Sequence, residues 1–249
     1  MARTYKALAL LLTYPDPKLQ EAAPYALDEI ISENLLTPST TKALGRLVSM
    51  LVSEDIYDLQ ERYTDLFDRT RSLSLNLYEH VHGESRDRGE AMVNLLELYR
   101  SKGLDLTTSE LPDFLPVFLE FLSILPDAQA ASLLGEATHV LEAMGERLKK
   151  RDSAYRAVFG ALAGLAAQTA DPGALAALLS EPDEDPNDLE VLDKAWAETA
   201  VTFGPSDVGC PKAGALVEAM QAEPGRTPRR ARAGASASAS ASASAAQGA

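Results

Sequence analysis

Apolar residues recur along this chain at intervals of three and four, segment after segment. That spacing gathers them on one side of a 3.6-residue turn and predicts a protein built from helices. Residues 3–13 are apolar enough to be buried on most sides, until Tyr14-Pro15-Asp16-Pro17 stops them. Residues 17–33 carry Leu19, Ala22, Ala23, Leu27, Ile30 and Ile31 near helical spacing. Thr37-Pro38 is a start signal, a capping hydroxyl followed by proline at the first helical position. The helix it opens shows Leu44, Leu47, Val48 and Leu51 at i, i+3, i+4 and i+7, and residues 54–69 repeat the pattern with Ile56, Leu59, Tyr63, Leu66 and Phe67.

The period fails over residues 70–86. RSLSLNLYEHVHGES alternates apolar and polar positions, which predicts an extended segment. Asp87-x-x-Glu90 then reads as a capping box, opening a helix with Met92, Leu95, Leu96 and Tyr99 on one face and Gly103 as its stop. Leu111 to Leu125, LPDFLPVFLEFLSIL, is apolar nearly all round and predicts a central buried helix. Its lone carboxylates, Asp113 and Glu120, would need partners there. Pro116 inside it marks either a kink or the true start. Residues 127–150 and 152–169 predict two further amphipathic helices, and residues 188–200 a weaker one holding Trp196. Beyond residue 222 the chain becomes Arg-rich and then Ala/Ser-rich, a composition that cannot bury a core. The expected organisation is a single all-α helical-bundle domain over 1–200, a loosely packed extension over 201–221 and a disordered tail over 222–249.

Composition narrows the function. Hydrophobic residues make up 46% of the 249, ample for a core, but the net charge of −14 disfavours a nucleic-acid partner, whose phosphates would be repelled. The same charge suits a cationic peptide or protein. Cys210 is the only cysteine, so the chain holds neither an internal disulfide nor a four-thiolate cluster by itself. The apolar run at 7–12 is too short for a signal peptide, and nothing approaches the roughly 20 apolar residues of a membrane span. These features predict a cytoplasmic protein without stable membrane insertion.

The stretch EHVHGESRDRGEAM, residues 79–92, concentrates the candidate chemistry. In an extended chain His80 and His82 would share a face, flanked by Glu79 and Glu84, and start a metal site. Glu84 with Asp87 or Glu90 would make an acid/base pair. Alternatively the stretch is a recognition surface, with Asp113 and Glu120 meeting Arg86 or Arg88, or a bound peptide's basic groups. There is no phosphate-binding glycine loop and no nucleophile elbow.

The run SLNLYEHVHGESRDRGEAMVNLLELY, 74–99, closely resembles the signature of the nitrate reductase delta-subunit family of molybdenum cofactor assembly chaperones. LLTYPD at 11–16, YTDLFDRTRSLSL at 63–75 and LPDFLPVFLEFLS at 111–123 resemble further family segments in the same order. The resemblance covers roughly residues 5–150. It implies an all-α, non-enzymatic cytoplasmic chaperone with no cofactor of its own. Such a chaperone would bind the apo catalytic (alpha) subunit of respiratory nitrate reductase, including its N-terminal peptide. It would keep that subunit competent for molybdenum cofactor and iron–sulfur insertion before membrane docking. The enzymes delivering the cofactor stand as further candidate partners. Carried over by position, the client-binding candidates are Tyr63, Phe67, Glu79, His80, His82, Glu84, Arg86, Asp87, Arg88, Glu90, Asp113, Phe114, Pro116, Phe118 and Glu120. The competing readings are a small metal-dependent enzyme using His80 and His82, and a permanent structural subunit of the reductase.

Overall fold

The computed structural model describes residues 2–83, 86–107 and 110–181. The expectations for 182–249, including the helix with Trp196 and the Arg/Ala-Ser tail, lie outside the described residues. Four helices come first: α1 (Arg3–Leu11), α2 (Pro17–Glu33), α3 (Pro38–Ser53) and α4 (Ile56–Phe67). A single 3-10 turn, Arg71–Leu73, leads to α5 (Leu77–His82) and α6 (Arg86–Ser101). Then follow α7 (Leu115–Ile124), α8 (Asp127–Glu136), α9 (Thr138–Lys150), α10 (Arg156–Leu165) and α11 (Pro172–Ser180). Among the described residues there is no β-strand, only one isolated bridge between Asn76 and Phe114.

Local chemistry sets the helix starts. Asp16, Thr37 and Asp171 each accept a hydrogen bond from the backbone N–H three residues on, and proline follows each of them. A side-chain acceptor satisfies an otherwise orphaned donor, and proline there lacks only a donor the helix does not need. α6 ends as the sequence suggests: Gly103 takes φ +81°, its N–H donates to Arg100 and the next N–H donates to Tyr99. The first N–H groups of α1 are capped from a distance, since Glu33 at the end of α2 accepts from Arg3 N at 2.8 Å and from Thr4 N and Oγ1 at 2.7 Å. Burial opposes the ionised form of Glu33, but these bonds and the Arg3 charge hold its carboxyl below its ordinary value.

The bundle is organised around α1, which is packed between α2 and α7. Leu8, Leu11, Leu12, Leu115, Leu119 and Leu122 are fully buried at this junction. α1 and α7 run in opposite directions. Tyr63 donates its hydroxyl to the Leu12 carbonyl at the end of α1 and feels the charge of Glu110, just before α7. Tyr5, at the start of α1, feels Asp127 just beyond the other end of α7. α9 packs on α10 and α11, and α10 on α3, closing one continuous core.

Four expectations are corrected. Of the stretch 70–86, the described residues 70–83 do not form an extended strand: the alternation is resolved into a 3-10 turn and the short α5. α6 begins at Arg86, so Asp87 is not its cap but lies in its first turn, where a negative charge faces the positive helix end. The apolar run 111–125 is helical only from Leu115, with Pro116 in the first turn, so Asp113 precedes the helix. The periodic stretch 127–150 is two helices broken at Ala137, and α11 follows the shorter α10 unannounced.

Candidate functional site

The signature residues gather at the start of α5. The backbone turns there because Leu75, Asn76 and Leu77 pair with the strand-like residues before α7. Leu115 N donates to Leu75 O at 2.8 Å, and Leu77 N to Asp113 O at 3.0 Å. Asp113 is fully buried and caps α5 from outside it, its Oδ2 accepting from Tyr78 N at 3.1 Å. Arg88 on α6 stands beside both acids, with Nη1 3.2 Å from Glu79 Oε1 and Nη2 3.9 Å from Asp113 Oδ2. Burial pushes the Asp113 carboxyl up, against the opposing pull of the Tyr78 N–H and Arg88. Of the partners foreseen for Asp113, then, Arg88 is the one that the structure supplies.

His80 points inward. Its Nε2 lies 2.8 Å from the Ser74 carbonyl, which only accepts, so this nitrogen carries the proton. Burial lowers its pKa most, and the nearby Arg147 lowers it further; the Ser74 carbonyl and Glu79 act the other way. His82 instead sets its ring edge-on to Tyr78, with centroids 5.6 Å apart. On a helix, two residues of separation turn side chains about 200° apart. The shared imidazole face expected for a metal site is therefore a correction as well. Among the described residues no three His, Cys, Asp or Glu side chains converge to hold a metal. Glu84 and the Arg86 side chain lie outside the described residues, and Asp87 and Glu90 are exposed.

The sequence reading missed Arg147. It is almost wholly buried and donates to the carbonyls of Ser72 at 2.8 Å and Leu178 at 2.6 Å, stapling the turn before the signature to α11. The signal was present: Val140, Leu141, Met144 and Leu148 trace the apolar face of α9, and Arg147 falls in phase with them.

The remaining candidates divide between the core and an open groove. Phe67 is core, its ring tilted against Tyr63 at 4.9 Å and edge to face with Tyr155 at 5.2 Å. Phe118 is buried beside a smaller cavity of about 350 Å³ under α5 and α6. Tyr63, Phe114, Pro116 and Glu120 line a groove of about 800 Å³ over α1. Glu120 is exposed there, so it needs no buried partner, contrary to expectation. Ala7, Leu10, Ala26 and Val117 give the groove an apolar floor. Tyr14 and Tyr25 flank it with half and three-quarters of their surface exposed. Glu29, Asp68, Glu110 and Glu120 supply acid, against Arg3 and Lys6. Arg3 is already spent on Glu29 at 2.8 Å. Asp68, Glu110, Tyr14 and Tyr25 went unnoticed in the sequence because they belong to four separate segments. A groove of this kind has the shape and lining that could hold an amphipathic segment.

The described residues thus form an all-α bundle with an acid-edged, aromatic-flanked groove. The chain belongs to the nitrate reductase delta subunit family, whose model matches residues 33–161. It is 40% identical over 200 residues to the nitrate reductase molybdenum cofactor assembly chaperone NarJ of Escherichia coli (strain K12), covering 80% of this chain and 84% of that one. It is 39% identical over 198 residues to NarW of the same strain, a candidate chaperone of the same assembly, covering 80% and 82%. Among solved structures, a candidate redox enzyme maturation protein from Archaeoglobus fulgidus superposes with a TM-score of 0.49 at 23% identity, covering 65% of this chain and 91% of that one. No described helix is long and apolar enough to cross a membrane.

Proposed function

We propose that this protein is a dedicated cytoplasmic assembly chaperone for respiratory nitrate reductase, acting by binding and not by catalysis. Its client is the apo catalytic subunit, and the client's N-terminal segment docks in the groove over α1. Binding holds the subunit open while molybdenum cofactor and iron–sulfur cluster are inserted, before docking on the membrane subunit. The chaperone stabilises that open state by the difference between its affinities for the open and the completed client. The cofactor is cargo of the client.

The observation that carries this reading is the groove itself. Exposed tyrosines beside an apolar floor are costly to leave in water and are common anchors at interfaces. The acidic edge suits a segment with basic residues on its polar side. Within the family assignment, Tyr63, Phe114, Pro116 and Glu120 meet the client. Glu79, His80, Arg88 and Asp113 hold the wall that carries Phe114 and Pro116.

The test is calorimetric titration of the full chain with a synthetic peptide copying the N-terminus of the partner catalytic subunit. Saturable binding weakened by Tyr14→Ala and Tyr25→Ala is expected. Binding that ignores both substitutions would place recognition outside the groove.

A further inference from the structure

Tyr14 and Tyr25 both flank the groove, but they are held very differently. Tyr25 keeps three-quarters of its surface in solvent, and its side chain makes no hydrogen bond or ring contact among the described residues. Tyr14 sits in the link between α1 and α2, and α4 grips that link on both sides of it. Tyr63 donates its hydroxyl to the Leu12 carbonyl at 2.8 Å, two residues before Tyr14. Gln60 donates from Nε2 to the Pro15 carbonyl at 2.8 Å, one residue after it. Gln60 and Tyr63 are three residues apart on α4 and share a face, so one helix supplies both grips. The local sequence tightens the link further. The Thr13 hydroxyl donates to the Leu10 carbonyl at 2.7 Å. Pro15 is buried, and a residue that precedes proline is biased to extended backbone. The Tyr14 ring then meets the Tyr63 ring edge to face, with centroids 5.5 Å apart, and Tyr63 packs in turn on Phe67 and Tyr155. A half-exposed ring is thereby mounted on the core.

We propose that Gln60 and Tyr63 are positioning residues for client binding, clamping the α1–α2 link so that Tyr14 is set as an anchor before the client segment arrives. An anchor already in place spares the ordering cost that each side chain immobilised on binding otherwise adds. Gln60 does not line the groove, so its effect on the client runs through Tyr14. Tyr25 has no such mount and contributes contact alone. This rests on the groove being the client site. It adds that affinity depends on two hydrogen bonds made within this chain, one of them from a residue outside the groove.

The experiment is a set of double-mutant cycles read by fluorescence anisotropy, the full chain being titrated with the labelled N-terminal peptide of the catalytic subunit. Gln60→Met and Tyr63→Phe each remove a donor while keeping the bulk of the side chain. Gln60 is only partly buried and methionine is a good helix former, so that variant folds even if Tyr63→Phe does not. Each is made in the wild type, in Tyr14→Ala and in Tyr25→Ala. The expected result is a loss of affinity of roughly threefold to tenfold for each clamp variant in the wild type. That loss should vanish in Tyr14→Ala and persist undiminished in Tyr25→Ala. A change that acted only through the stability of the fold would lower affinity equally in all three backgrounds, and that outcome overturns the proposal. Wild-type affinity in Gln60→Met overturns it too. Silence of Tyr14→Ala, with Tyr25→Ala still weakening binding, overturns the mounted anchor and leaves the groove. Failure of the wild type to bind, or indifference to both Tyr14→Ala and Tyr25→Ala, overturns the groove reading and the clamp with it.

Discussion

The signature cluster and the groove use polar residues in opposite ways. In the cluster, Glu79, His80, Arg88 and Asp113 direct their charges and protons at one another and at nearby backbone. In the groove, Tyr25 and Tyr14 stand out in solvent, and Asp68 and Glu120 make no ion pair among the described residues. Within EHVHGESRDRG, Glu79, His80 and Arg88 are spent on holding α5, α6 and the turns before α5 and α7 together. The less conspicuous surface keeps its valence for something else. A conspicuous motif can therefore be the frame of a proposed site without being its mouth.

Stability measurements separate the two regions most sharply at the buried end. Arg147→Ala should cost roughly 3 kcal/mol or more, since it opens a cavity and removes the charged donor that bonds the Ser72 and Leu178 carbonyls. Chemical denaturation measures it, and a loss below about 1 kcal/mol would mean that the staple is not needed. Asp113→Ala should cost about 2–4 kcal/mol by leaving the Tyr78 N–H without its acceptor and Arg88 with Glu79 alone, whereas Asp113→Asn, which keeps an acceptor, should cost clearly less. Gly83, at φ +56° in the turn between α5 and α6, should lose about 1–3 kcal/mol on change to alanine, measured by thermal unfolding.

A smaller effect comes from pH. His80 is held below its ordinary pKa, so the unfolded chain takes up its proton first as pH falls. Its contribution is complete above about pH 6.5 and is lost as pH falls from there through its folded pKa. Unfolding midpoints between pH 7 and 5 should fall more steeply for wild type than for His80→Gln; parallel curves would remove His80 from the cluster. The smallest stability effect should belong to the groove: Tyr25→Ala should stay within about 0.5 kcal/mol of wild type. Unfolding of that variant would erase the distinction between frame and mouth.

Much of the frame was legible in the chain. The caps at Asp16 and Thr37, the stop at Gly103 and the stripe Leu44, Leu47, Val48 and Leu51 are local signals, and each appears where its chemistry puts it. The alternation misled because its apolar positions are buried without a sheet: Leu73 and Leu75 enter the core, and Leu77, also buried, starts a helix capped by Asp113 from 36 positions later. That cap is a contact across the fold, so no local pattern announces it. The candidate site was legible only in part for the same reason. Tyr63, Phe114, Pro116 and Glu120 were singled out from their own segments, but only packing α1 between α2 and α7 sets them beside Tyr14, Tyr25 and Asp68.

The measurement that bears most directly on the groove as client site is the affinity of the full chain for the N-terminal peptide of the catalytic subunit, in wild type, Tyr25→Ala and Asp113→Asn. Tyr25→Ala should keep the unfolding midpoint and lose more than about 1 kcal/mol of binding, while Asp113→Asn loses stability first and binding little. Full affinity in folded Tyr25→Ala, with binding lost in folded Asp113→Asn, would move the client from the groove to the signature cluster.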